Sequence, residues 1–144
     1  MKTTIAILAG VLSAGLLTVH AADIEAGPKG GRMLEKTSPK AEFFVEKDRT
    51  VSIHFYDAAM KPTAPSGQVV TVIAEAKEGK QTLEFEKKGD ALVSKSKLPD
   101  GEGYNLVVQF KQSPDAKPQN VRFKLETHTC KECKHAEYAC TCHE

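Results

Sequence analysis

Apolar and polar residues alternate along most of the chain between positions 41 and 125. Successive side chains of a β-strand point to opposite faces, so this period of two predicts strands with one face in a core and the other in water. The segment 69–74 is apolar and β-branched on both phases, which predicts a central strand covered on both faces. The pattern predicts about seven strands, at residues 42–46, 51–56, 69–74, 82–86, 91–94, 104–110 and 121–125.

Turn-forming residues separate these segments, as in Pro65-Ser66-Gly67 and Pro99-Asp100-Gly101. Glycine permits positive φ and proline fixes φ, so such clusters are typical of tight turns. Short strands with turns between them predict an all-β fold, an antiparallel immunoglobulin-like β-sandwich, over residues 41–126. Residues 22–40 form a flexible leader in this interpretation, with an edge strand at 27–34.

The first 21 residues have the pattern of a secretory signal peptide. Lys2 precedes an apolar run from Ile5 to about Val19, and Val19-His20-Ala21 is a small-x-small cleavage pattern. The run is shorter than the ~20 residues that a membrane helix needs, and no other long apolar run follows, so we expect no membrane span in the mature chain. The sequence therefore predicts a periplasmic or secreted protein, in a compartment that permits disulfides.

Charge and motif content exclude several functions. The sequence has 20 basic and 19 acidic residues; loss of Lys2 with the signal peptide leaves 19 of each, a net charge of zero with neutral histidine. No basic stripe is present, which argues against a nucleic-acid partner. No Ser–His–Asp order, paired carboxylates or phosphate loop stands out, so we predict that the protein is not an enzyme.

All four cysteines lie in the last fifteen residues, with two histidines, in the spacing C-x2-C-x-H-x4-C-x-C-H. Thiolate and imidazole are the ligands that Zn²⁺ and Cu⁺ prefer. We therefore interpret residues 127–144 as a metal-binding tail for one Zn²⁺ or Cu⁺ ion. Its predicted ligands are the four thiols, with the two imidazoles as alternate or additional ligands: Cys130, Cys133, Cys140, Cys142, His135 and His143.

The sequence is compatible with two local structures of the tail. If residues 131–139 are helical, Cys130, Cys133 and Cys140 share one face of the helix. The six residues between the two cysteine pairs are fewer than a zinc ribbon has, which favours a compact hairpin or a helical turn.

Two other thiol chemistries compete with metal binding. In an oxidising compartment the cysteines can form two disulfides, and nested pairing of Cys130 with Cys142 and Cys133 with Cys140 avoids a strained bridge within C-x-C. The interleaved histidines favour a metal, because a disulfide does not need them. A redox role for Cys130 and Cys133 would call for a helix N-terminus in a βαβ unit, and the sequence does not show one.

Four stretches carry a resemblance to a known group: GPKGGRML from Gly27, EFFVEKDRTV from Glu42, YDAAMKP from Tyr56 and LPDG from Leu98. Over roughly residues 27–125, the chain resembles small secreted bacterial β-sandwich proteins, largely uncharacterised and often encoded with heavy-metal efflux systems. The resemblance implies metal handling in the envelope, with metal-efflux components as partners. Lys29 stands where that group has histidine, and the Cys/His tail is not part of its general pattern.

These observations together predict a secreted, non-enzymatic protein that binds Zn²⁺ or Cu⁺ for sequestration, delivery or sensing. The alternative is a structural or interaction β-sandwich domain whose C-terminal tail is stapled by disulfides.

Overall fold

The alternating segments form β-strands in a computed structural model that describes residues 24–142. The predicted signal peptide at residues 1–21 and the predicted ligand His143 lie outside the described residues. Among the described residues, no helix is long and apolar enough to cross a membrane. The strands are β1 Arg32–Leu34, β2 Lys40–Val45, β3 Val51–Tyr56, β4 Pro62–Thr63, β5 Val69–Ala76, β6 Gly79–Lys88, β7 Ala91–Ser94, β8 Asn105–Lys111 and β9 Gln119–Lys124, and one 3-10 helix, η1, follows at Glu137–Ala139.

Every pair of neighbouring strands is antiparallel. The strand order is β1-β2-β3-β7-β6-β5-β8-β9, with β4 paired to β3. The long strand β6 belongs to both layers, because residues 79–84 pair with β5 and residues 85–88 pair with β7. One layer therefore holds β1 to β4 and β7, and the other holds β5, β8 and β9. This arrangement confirms the predicted antiparallel β-sandwich.

The structure has nine strands, where about seven were expected from alternation. The seven predicted segments correspond to β2, β3 and β5 to β9, while β1 is an edge strand and β4 is only two residues long. Strand β5 is central, between β6 and β8, but its outer face is only partly covered: Val69 is 39% exposed. The expectation that both faces are covered was wrong, because the residues on the outer face of β5 are exposed or only partly buried, from Val69 to Glu75.

The core lies between the two layers and is built from alternate residues of each strand. Phe55 of β3 packs against Phe110 of β8, with ring centroids 6.4 Å apart. At the end of the strand order, Phe43 of β2 meets Phe123 of β9 edge to face at 5.2 Å. The second strand of the order, β2, is therefore brought close to the last strand, β9, and Tyr138 of η1 packs against both of these rings. The segment after β9 is thus part of the core at this point.

A glycine-rich loop before β1 covers a buried carboxylate on β2. Glu42 is 0% exposed and accepts hydrogen bonds from the backbone N–H of Gly31 at 2.8 Å, from that of Lys29 at 3.0 Å and from the Tyr56 hydroxyl at 2.6 Å. A Cβ on Gly27 would lie 2.2 Å from the Glu42 side chain, and one on Gly31 would lie 2.3 Å from the Phe43 carbonyl oxygen. The glycines are therefore required by close approach, and the hydrogen bonds offset the cost of burying the carboxylate.

Candidate metal centre

The fold brings the four thiols to one point. The Sγ atoms of Cys130, Cys133, Cys140 and Cys142 all lie within 4.8 Å of one another. The Cys140 Sγ is 3.1 Å from that of Cys130 and 3.6 Å from that of Cys133. Four sulfurs around one tetrahedral ion with Zn–S bonds of ~2.3 Å stand about 3.8 Å apart. The four cysteines therefore surround a space suited to a single metal ion.

The first cysteine pair lies on a tight turn of a small hairpin. The backbone N–H of Cys130 donates to the His135 carbonyl at 2.8 Å, and that of Lys134 donates to the Cys130 carbonyl at 3.2 Å. Lys134 has φ of 65°, a left-handed conformation that closes the turn directly after Cys133. A bridge between Thr129 and Ala136 aligns the two sides of the hairpin. Residues 131–139 do not form one continuous helix; the compact hairpin carries the first pair, and the short helical turn η1 at Glu137–Ala139 precedes Cys140.

The second pair is positioned by the core of the sandwich. The Tyr138 backbone N–H donates to the Glu126 carbonyl at 3.0 Å, and its hydroxyl accepts from the Val45 N–H at 3.1 Å. Cys140 follows two residues later, is 2% exposed and donates its N–H to the Glu137 carbonyl at 3.1 Å. Because Tyr138 is fixed between the aromatic rings of the core, Cys140 reaches the hairpin in a defined position.

The thiols differ in their proton affinity. The backbone N–H groups of His135 and Thr141 stabilise the Cys133 thiolate and lower its pKa to about 6. The neighbouring Cys130 thiol raises the pKa of Cys140 to about 11, and burial, followed by the surrounding thiols, raises that of Cys142 to about 12. Several negative charges are unfavourable at these distances unless a cation compensates them, so a bound metal ion would favour the deprotonated forms.

The histidines behave differently from the thiols. Among the described residues, His135 does not join the thiol group, although it lies on the same hairpin. Its Nδ1 lies 3.4 Å from the position that a Cβ on Gly30 would occupy, so the ring faces the glycine-rich loop. Within residues 24–142, the ligand set that the structure assembles therefore consists of the four cysteines.

Sequence reasoning did not single out a histidine and two carboxylates near the centre. The Nδ1 of His128 is 3.5 Å from a Glu102 carboxylate oxygen, and its Nε2 is 3.9 Å from a Glu137 oxygen. Glu102 lies in the turn before β8, far from the tail in sequence, so no spacing motif connects it with the cysteines. The pKa of Glu102 lies below its ordinary value, mainly because its carboxylate accepts a hydrogen bond from the Thr127 side chain.

An open cleft of about 550 Å³ adjoins the thiol group. Three of the four thiol-bearing residues line it, and Cys133 is not among them. Its remaining wall is polar and carries both signs of charge, from His128, Thr129, Lys131, Glu132 and Glu137. An ion at the centre can therefore be approached from this side.

The arrangement could hold a metal ion, because the four thiols lie close together. A disulfide needs an S–S bond of about 2.05 Å within a defined pair. Here the Cys140 sulfur is close to those of both Cys130 and Cys133, so the geometry does not single out one pair. No protein-family model, curated protein or solved structure matches this chain. The chemistry of the site therefore follows from its own residues.

Proposed function

We propose that this protein is a non-enzymatic metal-binding protein of the cell envelope that holds one ion of Zn²⁺ or Cu⁺ with four cysteines. The observation that carries the proposal is the approach of all four Sγ atoms to within 4.8 Å of one another. A tetrahedral set of four thiolates is typical of Zn²⁺, whereas soft thiolates also select Cu⁺. Because four thiolates are the set typical of Zn²⁺, this is the first ion to test, and Cu⁺ is its competitor.

The exposure of the thiols supports a role in sequestration or delivery. Cys130, Cys133 and Cys142 are each partly exposed, and only Cys140 is buried. A purely structural zinc site is closed around its ion, whereas this one has a cleft beside it. The predicted signal peptide and the resemblance to envelope proteins encoded with metal-efflux systems extend the proposal to a periplasmic or secreted location and to efflux components as partners.

Native mass spectrometry of the protein purified from the envelope without reductant tests the proposal. We expect a mass raised by one metal ion, with the thiol protons displaced. A metal-free mass lowered by about four hydrogens would instead show two disulfides and support the disulfide-stapled alternative.

Substitution of the first pair tests which residues bind the ion. We expect the double variant Cys130→Ser, Cys133→Ser to lose stoichiometric metal binding while its sandwich remains folded, because two of the four ligands are removed. His135→Gln is the matched control, since this residue lies on the same hairpin but outside the thiol group, and it should bind metal as the unmodified protein does. Stoichiometric binding retained in the double variant would contradict the proposed ligand set.

A further inference from the structure

Three of the four thiols are held firmly by the fold. The turn engages both the N–H and the carbonyl of Cys130 in backbone hydrogen bonds. Cys133 is followed directly by Lys134, whose left-handed φ of 65° closes the turn of the hairpin. Cys140 is buried and directly follows the core residues of η1. Each of these sulfurs is therefore placed by backbone or core contacts that do not depend on a metal ion.

Cys142 is held differently. In the part of the chain that the structure describes, its backbone makes one hydrogen bond, from its N–H to the Cys140 sulfur at 3.4 Å. The acceptor of this hydrogen bond is thus another of the four proposed ligands and not a residue of the sandwich. The residue is partly exposed and lies two positions beyond the last one buried in the core. Cys142 is therefore the ligand that can leave the ion with the least disturbance of the fold.

The cleft lies on the side of this ligand. Cys142, Cys140 and Cys130 line it, whereas Cys133 does not. A volume of about 550 Å³ is within the range of small-molecule sites, so a small thiol or an exposed cysteine side chain fits. An incoming ligand would thus meet the ion beside Cys142 and away from Cys133.

We propose that this cleft admits an incoming thiol and that Cys142 is the ligand which that thiol replaces. This inference rests on the proposed metal function and deepens it, because it supplies the route by which the ion leaves. The sulfur of the incoming thiol bonds to the ion while the bond between the ion and the Cys142 Sγ breaks. The thiol proton passes to the Cys142 sulfur, so the ion keeps four thiolates, its charge and its oxidation state. No oxidant or reductant takes part.

Chemical rescue tests the identity of the exchanged ligand. Co²⁺ serves as the probe, because its absorption reports how many thiolates surround it. We expect N-acetylcysteine to restore the four-thiolate spectrum of Co²⁺-loaded Cys142→Ala. The matched variant Cys133→Ala should not be rescued, because its missing sulfur does not border the cleft. Equal rescue of both variants, or rescue of neither, would overturn the inference.

A kinetic measurement on the unmodified protein keeps the test independent of the variants. We expect the rate of Zn²⁺ transfer to a chromophoric chelator to rise in proportion to the concentration of added thiol. Acceleration by N-acetylcysteine would identify small thiols as a source of the incoming ligand. Acceleration by a Cys-x-x-Cys peptide alone would identify cysteines of a partner protein. A rate independent of both would overturn the inference, whereas failure to bind Zn²⁺ at all would overturn the proposed function itself.

Discussion

The sandwich and the cysteine-bearing segment after it are stabilised in different ways. The sandwich has continuous antiparallel pairing from β1 to β9 and a core to which both layers contribute. Residues 127–142 contribute only Tyr138, Ala139 and the partly buried Ala136 to that core. Their other constraints are a few backbone hydrogen bonds and the thiol group. We therefore expect the sandwich to fold without a metal ion, whereas a bound ion would add to the few contacts that hold the cysteine segment.

The largest effect is expected from a change in the sandwich alone. Phe55→Ala should lower the free energy of unfolding by about 3–5 kcal/mol, because it leaves a cavity beside Phe110. Urea unfolding measures this change, and Zn²⁺ stoichiometry measured on the folded fraction should remain one. Val69→Ala is the control: this side chain is 39% exposed, so its effect should stay within about 0.5 kcal/mol. Similar losses in the two variants would contradict the assignment of the core.

Removal of the metal ion should instead affect the cysteine segment, residues 127–142. A free Zn²⁺ concentration of 100 times the Kd stabilises the metal-bound state by about 2.7 kcal/mol. The open state of the cysteine segment, from which backbone amides exchange, is then roughly 100-fold less populated. We expect chelation to speed hydrogen exchange of backbone amides in residues 128–142 by up to this factor. Amides of β5 and β8 should exchange as before. Equal acceleration in these strands would show that the two regions open as one unit.

A smaller effect is expected where the two regions meet. In Tyr138→Phe the ring keeps its packing on Phe43 and Phe123, but the Val45 N–H loses its acceptor. We expect a loss of about 1 kcal/mol in the free energy of unfolding, the typical net value of one hydrogen bond. Hydrogen exchange of the Val45 amide should become faster in the variant. An unchanged Val45 amide would show that this hydrogen bond does not join the regions.

The same contrast explains what the sequence can predict. Alternation predicted the strands that pack in the sandwich, because burial on one face imposes a period of two. It predicted a strand at residues 42–46 but did not show that Glu42 is buried, because the glycine loop that covers this carboxylate comes from a different part of the chain. Cysteine spacing predicted the thiol group. The docking of Tyr138 was not predicted, because a single aromatic residue in a polar segment has no periodicity.

The histidines predicted as ligands show a second limit of predictions that rest on residue spacing. His135 is as close to the cysteines in sequence as a ligand would be, yet its ring faces Gly30. Its direction is set by the left-handed turn at Lys134 and by contact with a loop about a hundred residues earlier. Spacing shows which side chains can reach an ion, but the packing of distant segments decides which of them do.

The smallest predicted effect is a change in proton release with pH. In the metal-free protein the pKa of Cys133 lies near 6, so this group is a thiolate above that pH and a thiol below it. The stability that the Cys133 thiolate gives to the folded cysteine segment is fully present above the ordinary thiol pKa. It is lost as the pH falls through about 6. Cys140 and Cys142, with pKa values near 11 and 12, remain protonated near neutral pH and must each release a proton to bind Zn²⁺. Binding should therefore release one proton fewer above pH 6 than below it, which calorimetry in buffers of different ionisation enthalpy measures. A release that does not change between pH 5 and 7.5 would contradict the lowered pKa of Cys133 and its stabilisation by the N–H groups of His135 and Thr141.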